Sequence, residues 1–192
     1  VWTTNTLNNT VTVYDAKDLK AVKVFPEGSI AHPRDVVIDQ DNNRAYVNAA
    51  LTGDVEVYDS KTLEHLDTLR FDAAVGRAVF GTMNLDLDAK AGRLYSVSRD
   101  TPWAGWVDLK TGKSTTFEVP QIVGGSAIAH DPETGRMYIA SQDSDNVVVL
   151  DKEGKLVADT YVGAGGVGIV WNARTKQVYA ATRAGGTVAV LD

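Results

Sequence analysis

The chain contains no cysteine, so disulfides, thiolate metal sites and cysteine nucleophiles are all excluded. It has no apolar run near the roughly 18 residues that a membrane-spanning helix requires, and no segment carries helical periodicity. Basic residues are outnumbered, giving a net charge of −6, which argues against a duplex-DNA binder that relies on a broad cationic face. Histidine is scarce, with three in 192 residues, and none shows H-x-H or H-E-x-x-H spacing. No secretory leader is visible. Because residue 1 already sits inside an apparent strand, the chain is expected to be a piece of a longer protein. What remains is ordinary globular composition, 44% hydrophobic and 23% charged, with 17 glycines pointing to many turns.

What is present is a repeat. Trp2, Tyr46, Tyr95, Tyr138 and Tyr179 each open a segment that closes on Asp15, Asp59, Asp108, Asp151 or Asp192, and the separation is the same in all five pairs. Successive aromatics recur with a period of roughly 40–50 residues, the range of a propeller blade. Seven positions before the last four aromatics stand Asp39, Asp88, Asp131 and Asn172, starting the turn-rich stretches DQDNNRAY, DAKAGRLY, DPETGRMY and NARTKQVY. These read as tight hairpin connections. Each unit is then four short strands, which is the content of one β-propeller blade. Nine and eleven positions past each aromatic come apolar pairs such as Val55 and Val57, or Ala104 and Trp106. The twelfth position is apolar as well, so the third strand is apolar on both faces and is expected to lie between two other sheets. Small residues on first strands (Ala127, Ala129, Gly168) suit crowding near a central axis.

The cores VWTTN, AYVNA, LYSVS, MYIAS and VYAAT, each followed by an apolar strand ending in Asp, resemble the YVTN-type β-propeller repeat, and the layout is similar to YncE-like bacterial envelope proteins. The resemblance covers nearly the whole chain. It implies an all-β, seven-bladed propeller of four-stranded antiparallel blades, located in the periplasm or at the cell surface. Four to five of those blades are expected here: a partial blade at 1–26, blades at 34–71, 81–119 and 126–162, and a partial blade at 167–192. The first unit lacks an innermost strand and the last an outermost one, giving about eighteen strands against about 28 for seven full blades. Exposed blade edges are expected to be covered by the rest of the propeller or by another chain.

Catalytic signatures fail on context. The G-x-G-x-x-G of YVGAGGVGIVW (Gly163, Gly165, Gly168) is followed by a strand, not by the helix whose N-terminus would hold a pyrophosphate. QDSDNVVVL starts like a calcium loop at Asp143, Asp145 and Asn146, yet Val148 and Gly154 replace the required glycine and glutamate. VGGSAIA lacks the second glycine of a nucleophile elbow. His130 takes the position of Ile38, Leu87 and Trp171 and reads as a half-buried, satisfied side chain. His65 falls on an outer strand.

The unusual residues gather on one face, where inter-blade loops and second-to-third-strand loops meet. His32, Arg34 and Arg77 come from the first loop type; Asn48, Arg99, Trp103 and Arg183 come from the second. Trp103 in SRDTPWAGWVD either packs across a neighbouring loop or binds a ligand. The arginines together suit an anion. Three readings follow. The first is a non-catalytic propeller binding a protein, peptide or other ligand at this face. The second is single-stranded nucleic acid or another anion, held by Arg77, Arg99 and Arg183 with Trp103 stacking. The third is an enzyme or cofactor carrier, since similar propellers hold haem d1, quinone or channel metals. For that reading the inner strands offer only Asp35, Asn84 and Asp86, and neither a cofactor nor a metal is expected.

Overall fold

The computed structural model describes residues 1–72 and 79–192. Five antiparallel sheets follow one another along the chain. Blade I holds β1 (Trp2–Asn5), β2 (Thr10–Tyr14) and β3 (Ala21–Val24). Blade II holds β4 (Val36–Asp39), β5 (Arg44–Ala49), β6 (Asp54–Asp59) and β7 (His65–Arg70). Blade III comprises β8 (Thr82–Asp88), β9 (Arg93–Ser98), β10 (Trp103–Asp108) and β11 (Ser114–Glu118). Blade IV comprises β12 (Gly125–His130), β13 (Met137–Ser141), β14 (Asn146–Leu150) and β15 (Leu156–Tyr161). Blade V has β16 (Gly166–Asn172), β17 (Gln177–Thr182) and β18 (Thr187–Leu191). Strands are in sequence order within every blade, and the inner strands β4, β8, β12 and β16 run side by side. The molecule is a β-propeller.

Register explains the constant aromatic-to-aspartate spacing. Each repeat aromatic pairs with the residue eleven positions on: Trp2 with Val13, Tyr46 with Val57, Tyr95 with Trp106, Tyr138 with Val149, Tyr179 with Val190. The closing aspartate comes two positions later and starts the next turn. Asp59 Oδ1 accepts the backbone N–H groups of Lys61 and Thr62, and Asp108 Oδ1 accepts those of Lys110 and Thr111. Asp15 and Asp151 repeat the bond with Lys17 and Glu153. Asp39, Asp88, Asp131 and Asn172 hold the inner hairpins in the same way. A short side-chain acceptor two or three positions upstream gives each turn N–H a partner that a larger residue would not supply.

Alternation along the strands divides the apolar residues among the spaces between blades. Val11, Val13, Phe25 and Ile30 of blade I and its outgoing loop meet Ala45, Val47, Tyr58 and Leu63 of blade II. Tyr46, Val55, Val57 and Leu69 meet Leu85, Leu94, Trp103 and Val107. Tyr95, Val97, Ala104 and Trp106 meet Ile128, Met137, Ile139, Val148 and Leu150. Between blades IV and V, Tyr138 stacks on Trp171 with centroids 5.6 Å apart. Burial and the nearby Glu56 charge push the Tyr58 phenol up to about 12. At the ninth position after the aromatic, Val11, Val55, Ala104 and Val147 are fully buried, whereas Val188 on the free face of blade V is 61% exposed.

The outer turns end on a residue in the left-handed region, Gly112 and Gly154 in two blades but Leu19 and Leu63 in the other two. Leu19 is exposed, while Leu63 is buried in the space between blades I and II. Leu19→Gly should therefore relieve backbone strain and raise stability by up to about 1 kcal/mol. Leu63→Gly should lower it, because the lost burial of about 2 kcal/mol exceeds the strain relieved. Chemical denaturation of the two variants checks the opposite signs.

Candidate functional site

Short loops at 6–9, 50–53, 99–102, 142–145 and 183–186 join the second and third strands. In four of the blades the first residue of this loop is clamped by the inter-blade loop that precedes its blade. Its N–H donates to a carbonyl of that loop: Ala50 to His32, Arg99 to Gly81, Gln142 to Gly124, Arg183 to Gly165. The backbone is thereby fixed while the side chain is left to differ from blade to blade. Arg99, Gln142 and Arg183 all project toward the end of the channel between the inner strands, and all three line one cavity.

That cavity, of about 360 Å³, is also lined by His32, Arg34, Leu51, Met83 and Asp100. Four expected residues thus converge: His32, Arg34, Arg99 and Arg183. Arg34 and Arg183 are exposed, and among the described residues neither forms an ion pair. Arg99 is half-buried and already engaged, donating to Gln142 Oε1 at 3.0 Å and lying 3.4 Å from Asp143 Oδ2. His32 has φ 56°, at the position where Gly124 and Gly165 also take positive φ. Only this one of the three carries a side chain, at a conformation that disfavours one. Its N–H donates to Asn9 Oδ1 at 2.8 Å. Arg77 lies outside the described residues.

Trp103 is a correction. It starts β10, pairs with Glu118, and is 8% exposed among Phe71, Phe80, Leu85 and Leu94. The stretch Thr101–Pro102 absorbs the loop, and the indole turns into the space between blades II and III, where its apolar area is removed from water. It is not available to stack on a ligand. Asn48 is structural too: fully buried, its Oδ1 accepts the N–H groups of Arg34 and Asp35, and its Nδ2 donates to the Thr82 carbonyl. It fixes the loop that carries Arg34.

Beneath the mouth a second cavity of about 330 Å³ is lined by Arg34, Asp35, Met83, Asn84, Ser126 and Arg183, among others. The inner-strand polar residues form a ladder here. Asp35 Oδ2 accepts Leu85 N–H at 2.9 Å and Asn84 Nδ2 at 2.5 Å. Asn84 Oδ1 accepts Ile128 N–H at 3.0 Å, the same bond one blade further on. Asp86 Oδ2 accepts both His130 N–H and His130 Nδ1, at 2.7 and 2.6 Å. Burial raises the Asp35 carboxyl above the usual carboxylate range, opposed by the N–H groups of Leu85 and Val36 and by Asn84, and reinforced by Asp86. His130 is buried, stacked on Tyr95 at 4.7 Å, with Nε2 3.5 Å from Asp88 Oδ2. Both its ring nitrogens face carboxylates, so it has no nitrogen left for substrate. Among the described residues no three His, Asp or Glu side chains are grouped to hold a metal ion.

The sequence signal for Gln142 was its position: it follows Gly124 as Arg99 follows Gly81 and Arg183 follows Gly165. Met83 and the Asp35–Asn84 link depend on how blades pack across the channel, which no single repeat encodes.

No protein-family model and no curated protein matches this sequence. The fold is matched by 1247 solved chains. One, from the crystal structure of a nidogen/laminin complex, superposes with a TM-score of 0.71 at 13% identity, covering 96% of this chain and 71% of that one. The likeness is one of fold.

Two outcomes are expected. Trp103→Ala should cost about 3–5 kcal/mol in urea denaturation, as loss of a large buried ring does; a loss near zero would return the ring to the ligand. For Asp35, both folded and unfolded chains are protonated at the acid extreme. As pH rises, the unfolded carboxyl ionises first, so the folded state loses stability between the ordinary and the raised value, and the penalty persists above it. Asp35→Asn keeps an acceptor for Leu85, as Asn84 does for Ile128, and should gain on the wild type across that interval. Melting temperatures of both proteins from acid to neutral pH should diverge; parallel curves would contradict this.

Proposed function

We propose that this chain is a non-catalytic ligand-binding propeller that takes an anionic group of its partner at the loop face around the channel mouth. The observation that carries the reading is the convergence of His32, Arg34, Arg99 and Arg183 on one cavity, with Arg34 and Arg183 unpaired among the described residues. Two guanidinium groups without a carboxylate partner, in a chain of net charge −6, form a local attraction for anions that the bulk charge opposes. Protein and peptide ligands fit this face because its cations are open to solvent. A nucleic-acid strand fits less well: none of the residues lining the mouth is Phe, Tyr or Trp, and base stacking supplies much of single-strand affinity.

The repeat cores' resemblance to the YVTN-type family supports the reading, and by that resemblance the partner would be met in the periplasm or at the cell surface. The nidogen/laminin structure contains a protein of this fold within a protein complex, which is compatible with the reading and names no partner for this chain.

Citrate, a compact polyanion, tests the mouth directly. Titrated into isotopically labelled protein at low salt, it should shift the backbone amides of 32, 34 and 35, 99–101, 142–143 and 183–185. Added salt should weaken the effect, and the Arg34→Gln/Arg183→Gln variant should lose it by about tenfold, the order expected for removing charge-assisted hydrogen bonds. Shifts confined to other surfaces, or unaffected by the double substitution, would refute the proposal.

A further inference from the structure

The mouth does not end at Arg99. On its far side Arg99 and Asp100 also line a neighbouring cavity of about 480 Å³, bounded by Pro102, Pro120, Ile122, Val123 and Asp143. The two cavities share Arg99 and Asp100 and so adjoin, together making a groove from the channel mouth outward between the loops of blades III and IV. Its two halves differ in chemistry. The inner half carries Arg34 and Arg183, unpaired among the described residues, with His32. In the outer half the one arginine is answered by Asp143, 3.4 Å away, Asp100 stands at the border with the inner half, and Pro102, Pro120 and Val123, which is 52% exposed, supply apolar surface.

The groove's backbone is fixed. Val119 N–H donates to the Pro102 carbonyl at 2.7 Å, Ile122 N–H to Val119, and Gln142 and Asp143 N–H to Gly124 and Val123. Ser144 Oγ accepts Val123 N–H at 3.3 Å. A surface whose main chain is already hydrogen-bonded offers side-chain chemistry and a preformed shape, so a binding segment pays little ordering cost on this side.

Resting on the anion reading above, we propose that the groove takes an extended acidic peptide segment of a partner protein, with carboxylates against Arg34 and Arg183 and an apolar side chain between Pro102, Pro120 and Val123. Charge complementarity orients the segment: its acidic end lies at the axis with Arg34 and Arg183, and its apolar end outward, where Asp143, and Asp100 at the border of the two halves, disfavour carboxylates. A free small anion fills the inner half alone and gains nothing from the prolines. A nucleic-acid strand meets the arginines but finds two carboxylates and no stacking ring along the rest of the groove.

The test uses fluorescein-labelled peptides with a leucine at one end and a glutamate pair at the other, joined by a glycine-serine spacer of two, three or four units. Fluorescence polarisation at low salt should show binding for at least one spacer. Replacing the glutamates by glutamines should weaken it about tenfold or more, and replacing the leucine by serine several-fold. Arg34→Gln/Arg183→Gln should reproduce the first loss, and Val123→Ser the second. Val123→Ser should leave the citrate titration unchanged, which separates the outer half from the inner; all three positions are exposed, so circular dichroism should show the variants folded. Citrate binding without binding of any peptide would overturn the peptide assignment and leave the anion site standing. Absence of both would overturn the two together. An octathymidylate that binds as tightly as the best peptide would also overturn the assignment, since charge alone would then be recognised.

Discussion

A blade with an apolar third strand cannot be buried by its own sheet; it needs a neighbour on each face. That requirement governs the structure. Val11, Val55, Ala104 and Val147 are all fully buried because the next blade lies against them. Burying a side chain of valine or leucine size contributes about 1.5–3 kcal/mol, and each of the three spaces between blades I and IV holds around ten buried apolar residues. No single sheet has comparable packing of its own, so stability in this molecule belongs to the spaces between blades, as in repeat proteins generally. The aspartate turns set where strands end. The apolar layers set how far each blade is rotated against the last.

Packing blades face to face leaves the inner strands with one edge toward the channel and backbone N–H groups without a partner within the sheet. The Asp35–Asn84 ladder answers this. Each side chain caps an N–H of the following blade, at Leu85 and then at Ile128, and Asp86 does the same for His130. Leaving such groups bare would cost about 1–3 kcal/mol each. The burden falls on Asp35, whose carboxyl is held above its ordinary range by the burial its position demands. Polar residues on the channel wall that suggest chemistry in the sequence are, in three dimensions, engaged with backbone.

How much of this was legible depends on whether a feature repeats. The hairpin register is local and identical in five units, so the aromatic–aspartate spacing revealed it without a structure. The burial of both faces followed from adjacent apolar positions in one strand. Trp103 misled because its unit diverges: the loop is Arg-Asp-Thr-Pro, the proline ends it, and the tryptophan falls on the first residue of a strand instead of on the tip. A single step of register separates a ring in solvent from a ring in the core. Arg34, Arg99 and Arg183 could be assigned to a face from loop type alone. That they share a cavity with Gln142 and Met83 could not, since it depends on the angle between blades.

The channel mouth shows why such a scaffold can vary its ligand without changing its fold. Ala50, Arg99, Gln142 and Arg183 occupy one structural position, each with its N–H satisfied by a carbonyl of the preceding inter-blade loop. Because the clamp uses main chain only, it makes no demand on the side chain there, and methyl, guanidinium and amide are tolerated in turn. His32 is the complementary case. Its carbonyl supplies the clamp for Ala50, a duty any residue could perform, while its left-handed backbone would favour the glycine found at the equivalent Gly124 and Gly165. An imidazole at that site costs conformational energy that the fold does not require. The side chain that occupies it lines the mouth beside Arg34, where an imidazole can serve a ligand as a glycine could not.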